Sequence, residues 1–343
     1  MLDIFNSDAF SVTSLTDALR DRKPRPSRLR DLGLFRTSSV ATLSVGIERV
    51  GDMLQLVTPT PRGSPGETRE SPKRTIENIT IPHFQRDWSV YADEVQGVRA
   101  FGSETALMTV QNLVAQKIDE QLSDLDLTDE YSKIGAIQGI VNYKGGSSLN
   151  LFTKFDVSQP SEIDFDLDAA SPTDGILRKA CTDVIRAMRR AVGGLNFGSV
   201  HAFCGDNFFD DLLRHKEVRD TYKGWSDAVI LRDSYVGSNR GSNPIFEFGG
   251  ILWENYGAIE QSGDGALMGI HTDKVQFIPL GLDGLFRRYL APADYEETVN
   301  TLGLEQYARQ WPMQNGKGRH GEVQRNVLHI CTRPNVLLRG RRT

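Results

Sequence analysis

The chain has 343 residues, 39% hydrophobic and 25% charged, the balance of an ordinary folded protein rather than a disordered one. Its formal net charge of −5 argues against a dedicated nucleic-acid binder, which carries a basic surplus. No apolar run has the length of a bilayer span and the first residues lack a basic-then-apolar signal, so neither a membrane partner nor secretion is expected.

Residues 1–35 open with Ser7, Asp8, Ser14 and Asp17 among apolar positions, then turn basic. Arg20, Arg22, Lys23, Arg25, Arg28 and Arg30 crowd into eleven positions around Pro24 and Pro26. The prolines and like-charge repulsion oppose a stable helix, so the segment reads as an extended arm that orders on a partner. Residues 40–58 carry Leu43, Val45 and Ile47 in alternation with Thr42, Ser44, Gly46 and Glu48, the period of a half-buried strand. Gly51-Asp52 supplies a turn, and Leu54 and Leu56 alternate on the return. Residues 59–74, with four prolines, two glycines and many charges, cannot build a core. Strand character resumes at Ile76, Ile79 and Ile81, so two legs and a polar tip form a long projecting loop.

The spacing predicts a long helix from about Ser103 to Leu125, with Ser103 as N-cap and Glu104 in the first turn. Leu107, Val110, Val114, Ile118 and Leu122 share one stripe and are expected to face the core, with Gln111 and Glu120 outward. Residues 129–140 either continue this helix or form a second segment. Asn142 to Phe155 reads as two strands around a Gly145-Gly146-Ser147 turn. A second helix fits Thr173 to Val192, between Pro172 and Gly193-Gly194. Val200, Ala202 and Cys204 alternate with His201 and Phe203 in a strand, and Asp206 opens a helix. Ile245 to Trp253 makes a strand pair broken at Gly249-Gly250, followed by strands at Val275–Ile278 and Val327–Cys331. Residues 195–330 are thus expected to form a compact α+β unit of their own, and no repeat is present.

Catalytic chemistry is sparse. Gly316-Lys317-Gly318-Arg319-His320-Gly321 spells G-x-G-x-x-G, yet no strand leads in and no helix follows, so a flexible basic loop is expected. Asp164, Asp166 and Asp168 alternate on one strand face but lack the glycine and spaced glutamate of a calcium loop. They read as a solvated strand edge. None of the six histidines pairs at metal-ligand spacing, and His329, inside an apolar strand, reads as a satisfied core histidine. Cys181, Cys204 and Cys331 read as buried free thiols in a reducing compartment. No catalytic residue, metal or cofactor is expected.

Several ordered stretches carry a family resemblance: DEVQGVRAFGSE at 93–104, FGGILWENY at 248–256, PLGLDGLFRRYLAPADYEETVNTLGLEQYAR at 279–309 and ICTRPNVL at 330–337. With the opening MLDIFNSDAFSVTSLTDAL, they resemble the lambda-type major capsid protein E family of tailed bacteriophages and prophages over nearly the whole chain. The resemblance implies an α+β HK97-like capsid fold. Its parts would be an N-terminal arm (1–36), an extended loop (37–85), a peripheral domain with the spine helix (86–194, completed by 322–343) and an axial domain (195–321).

The function implied is a major capsid protein that self-assembles into pentamers and hexamers of an icosahedral shell around packaged dsDNA. That shell is the virion capsid, put together in the host bacterial cytoplasm. Implied partners are copies of the chain, a separate scaffold protein and a portal, with room for a decoration protein. The arm arginines and Lys23, together with Arg62, Arg69, Lys73 and Arg74 of the loop, are expected to contact neighbouring subunits, scaffold or DNA. No autocatalytic Lys–Asn cross-link is expected. A shell subunit of a bacterial nanocompartment or gene-transfer particle is the alternative reading, and a soluble enzyme a more distant third.

Overall fold

The computed structural model describes residues 28–50, 74–95, 110–169, 172–193, 195–223, 244–257, 259–260 and 267–343. A helical turn, α1 (Arg28–Asp31), leads into β1 (Phe35–Ser39), β2 (Ser44–Val50), β3 (Arg74–Thr80) and β4 (His83–Tyr91). The short α2 (Ala92–Val95) and the 29-residue α3 (Val110–Gln138) follow, then β5 (Ile140–Asn142), β6 (Ser148–Asn150), α4 (Leu151–Lys154) and β7 (Ile163–Asp164). Next come α5 (Ile176–Val192), β8 (Val200–Cys204), α6 (Asp206–Arg214), α7 (Lys216–Lys223), β9 (Ile245–Phe248) and β10 (Ile251–Asn255). The remainder is all strand: β11 (Ile259–Glu260), β12 (Leu267–Met268), β13 (Lys274–Pro279), β14 (Phe286–Leu290), β15 (Tyr307–Pro312), β16 (Gly318–Cys331) and β17 (Leu338–Arg341).

Two mixed sheets organise these elements. One has five strands in the order β1-β14-β16-β15, with β4 also paired to β16; the other has six in the order β7-β17-β13-β8-β10-β9. Both draw on distant parts of the chain, so the expected boundaries at 194/195 and 321/322 cut across them. β14 and β15 join the sheet of β4 and β16, whereas β17 joins that of β8 and β13. Residues 195–330 are therefore not a separate unit. The expected arm and loop limits shift for the same reason: residues 37–39 belong to β1, parallel to β14, and residues 83–85 belong to β4.

The long helix covers one face of the five-stranded sheet. Val114, Ile118, Leu122 and Leu125, three or four residues apart, pack with Leu113 on Trp88, Val90, Ala308 and Val323. Glu120 is exposed, as its place opposite this stripe requires. The register places Gly321 across from Trp88, and a Cβ at residue 321 would lie 2.1 Å from the indole. Two glycines of the expected basic loop thus belong to β16, and the loop is the turn of the β15–β16 hairpin. Residues 129–138 continue α3, giving it a length of about 43 Å from Val110. Gly139 (φ 84°) ends the helix, and β5 and β6 then form a hairpin. Residues 151–154, expected in the returning strand, turn into α4, capped by the Asn150 side chain on Thr153 N–H.

The six-stranded sheet is buried in depth. All five residues of β8 are covered, because β13 and β10 flank it and the core closes on both its faces; His201 and Phe203 do not reach solvent. Phe165, Phe208, Trp253 and Phe277 pack around it with ring centroids 5.5 to 6.0 Å apart. Cys181, Cys204 and Cys331 are buried free thiols, pushed up in pKa by burial. β2 pairs with β3; the 54–56 return expected from alternation lies outside the described residues. Val45 opposes Ile79, and both enter one core with Leu29 and Ile81, which favours this pairing.

Val114→Asp is expected to bury an unpaired carboxylate between α3 and the sheet and cost about 4 kcal/mol. Urea unfolding of variant and parent checks this; an unchanged midpoint would mean the helix register is wrong.

Candidate functional site

Past Leu125 the stripe of α3 changes character. Asp126, Asp129, Glu130, Ser132 and Lys133 are all buried, where an apolar continuation would be the ordinary choice. They answer charges on the facing strand, since Arg325 and His329 stand on the same face of β16 as Val323. Arg325 Nη2 donates to Asp126 Oδ1 at 2.9 Å. Ser132 Oγ and His329 Nδ1 are 2.7 Å apart, and His329 Nε2 lies 3.5 Å from Asp129. Lys133 Nζ is 2.7 Å from Asp129 Oδ2, and Arg288 of β14 is 3.4 Å from Asp129 Oδ1.

The network reaches α1 through three carboxylates. Glu130 Oε1 accepts from the Leu29 backbone N–H at 3.0 Å and from the Tyr256 hydroxyl at 2.9 Å. Glu254, on β10 and fully buried, takes both Nε and Nη2 of Arg28 at 2.5 and 2.9 Å, and also lies 2.8 Å from His201 Nε2. Glu305 joins Arg30 at 2.5 Å to Arg288 at 3.2 Å. Asp126, Asp129, Glu130, Glu254 and Glu305 are thus matched by Lys133, Arg288, Arg325, Arg28 and Arg30, so among the described residues this network balances its own charge. Burial alone would raise the Asp129 carboxyl, but the surrounding cations hold it well below the usual range. Burial opposes ionisation of Glu254 too, and the His201 and Arg28 hydrogen bonds overturn it. Burial lowers the pKa of His329 to about 3; the Asp129 carboxylate opposes this, and the Arg288, Lys133 and Arg325 cations reinforce it.

Arg28 and Arg30, expected to contact a neighbouring subunit, scaffold or DNA, pair within their own chain with Glu254 and Glu305. The reason is electrostatic: a fully buried Glu254 requires a cation at hand. Arg20, Arg22, Lys23 and Arg25 lie outside the described residues, as do Arg62, Arg69, Lys73 and Leu107. Arg74 opens β3 opposite Val50, and Val110 opens α3. Val114, Ile118 and Leu122 meet on the sheet. Sequence reasoning missed the charged half of α3 and its partners; the available signal was Asp129 four residues before Lys133 on the predicted apolar face. Of the aspartates at 164–168, Asp164 is paired with Arg341 at 2.8 Å and accepts the Asp166 N–H.

The phage major capsid protein E model matches residues 11–342. The chain belongs to this family. It is 26% identical over 324 residues to the major capsid protein of Pseudomonas phage KPP10, covering 91% of each chain. It is 23% identical over 362 residues to the major capsid protein of Salmonella phage Felix O1, covering 98% of each. The solved capsid of Myoviridae phage XM1 matches with a TM-score of 0.52 and 9% identity, over 94% of both chains. The α+β architecture is accordingly HK97-like, as the sequence resemblance implied. In this member of the capsid protein E family, the charge network ties α1 to the long helix, to the six-stranded sheet and to the loop before β15.

Two outcomes follow. Arg28→Gln leaves Glu254 buried without its cation and is expected to lower unfolding free energy by about 3 kcal/mol, read by urea titration. For pH, His329 is held at about 3 in the fold, below the ~6.5 of an unfolded histidine, so the unfolded chain takes up the proton first. Stability is therefore expected to fall as pH drops below about 6.5, by up to ~1.4 kcal/mol per unit from this group. Asp129 and Glu254, lowered in the fold, add to the loss only below about pH 4. Urea titrations at several pH values should show His329→Gln flattening the upper part of the profile by nearly one proton.

Proposed function

We propose that the chain is the major capsid subunit of a tailed phage or prophage. Copies of it close, as pentamers and hexamers, into an icosahedral shell around double-stranded DNA. Assembly in the bacterial cytoplasm, a separate scaffold and a portal belong to this reading. Family membership supports it, and one geometric observation carries it: the lone subunit leaves large apolar side chains in solvent. Leu43 is 68% exposed, Ile76 58%, Val299 65% and Leu302 64%.

These residues cannot all turn inward. Ile76 pairs with Glu48 on the face of the β2–β3 ladder opposite the buried Val45–Ile79 pair, so one core cannot cover both faces. Leu302 precedes Gly303, whose N–H donates to Val40 O at 3.0 Å, bringing that loop beside the segment that leads to Leu43. Exposed apolar surface spread over a hairpin and the adjoining loop suits burial by neighbouring copies.

Deleting residues 60–73 tests this. The deleted chain is expected to remain soluble with unchanged circular dichroism, because both sheets and α3 lie outside the deletion. It is expected to close no shells by sedimentation and electron microscopy, while the parent does. Normal shells from the deleted chain would refute the role of the hairpin, and failure of the parent to close shells with its scaffold would refute the function.

A further inference from the structure

Helix α5 carries a charged surface that the packing of its own fold does not use. Its inward stripe of Leu177, Cys181, Val184, Met188 and Val192 is buried in the core. Its outward stripe bears Arg178, Lys179, Arg186, Arg189 and Arg190, all exposed, against one acidic residue, Asp183. In a chain of net charge −5 this is a strong local reversal. Arg178 is tied down, over the Phe248 ring at 5.7 Å and to Thr221 Oγ1 at 2.8 Å. Arg186 is 3.5 Å from Asp183. Among the described residues, no carboxylate pairs with Lys179, Arg189 or Arg190.

The helix is a rigid mount. The Glu217 carboxylate accepts the Leu177 and Arg178 N–H groups at its start. At its end Arg333 and Asn335 donate to the carbonyls of Val192 and Ala191. From Lys179 to Arg190 the cations run about 17 Å along the helix axis. Between Lys179 and Arg190 that stripe holds only Thr182 and Asp183 beside the cations, and the one exposed large apolar side chain of the helix, Ile176, lies at its start. A protein partner would be met by an apolar centre depleted of charge. A polyanion whose charges recur about every 1.7 Å needs only a row of cations.

We infer that the basic stripe of α5 is the surface through which the subunit contacts the phosphate backbone of double-stranded DNA, without reading its sequence. This rests on the proposed role as a DNA-enclosing shell subunit and places α5 on the inner side of that shell. Each contact is a charge-for-counterion exchange, so affinity falls linearly on a log–log plot against salt, by about 0.9 per phosphate engaged.

The test uses the full chain, a labelled mixed-sequence duplex of about 30 base pairs and fluorescence anisotropy between about 50 and 200 mM salt. The triple substitution Lys179→Gln, Arg189→Gln, Arg190→Gln is expected to reduce the salt slope by about 3. The charge-preserving set Lys179→Arg, Arg189→Lys, Arg190→Lys should keep the parent slope, which separates charge from any change in folding. A glutamine variant with the parent slope would overturn the inference and leave DNA contact to other segments. If that variant also stopped closing shells, the stripe would be a contact for an acidic protein, which equally overturns it. Shell closure by the parent, scored on the same preparations, keeps failure of the capsid function distinct from failure of the stripe.

Discussion

Charge neutrality in the interior is the constraint on which this subunit depends. A carboxylate or guanidinium removed from water loses several kcal/mol of hydration, and only a close counter-ion with matching hydrogen bonds restores it. Here Asp126, Asp129, Glu130 and Glu254 on one side and Lys133, Arg288 and Arg325 on the other are nearly or wholly covered. Their partners sit on different elements, so α3, β10, β14 and β16 must reach their final places together. A slip of β16 by one residue would turn Arg325 and His329 away from Asp126 and Asp129 and turn Val323 away from Leu122. An apolar interface would tolerate a sliding helix better than this one does.

The same network explains how α1 is seated. It contributes little apolar burial beyond Leu29, yet Glu130, Glu254 and Glu305 hold it from the helix, the six-stranded sheet and the loop before β15. The segment that precedes Arg28 therefore departs from a fixed point.

Much of the fold was legible where a periodicity was local. The apolar half of α3, the amphipathic α5 and the Gly249-Gly250 turn between β9 and β10 all follow from spacing over a few residues. What was not legible depends on distant partners. Arg28 meets a carboxylate 226 positions away and Arg30 one 275 away, and nothing in a basic, proline-broken stretch announces either. Gln324, Arg325 and Asn326 interrupt the apolar pattern of β16, so only its last five residues read as strand, though fourteen pair. The helix's second half was ambiguous because its buried face is charged, which resembles a solvated face until the opposing strand is seen.

The order in which strands enter the sheets has a consequence for synthesis. β1 and β4 wait for β14 and β16, and β17 inserts between β7 and β13 in the six-stranded sheet. Neither sheet can be completed until a ribosome has delivered residues near 331 and 341. Contacts of such long sequence separation slow folding, since loop closure precedes the stabilising contacts. The delay also has a use. A nascent chain cannot present finished sheets, or the spine helix seated on its sheet, to other copies, so association through these surfaces is deferred until the last strands have been translated. Polysomes crowded with partial chains would otherwise seed irregular aggregates in place of closed shells.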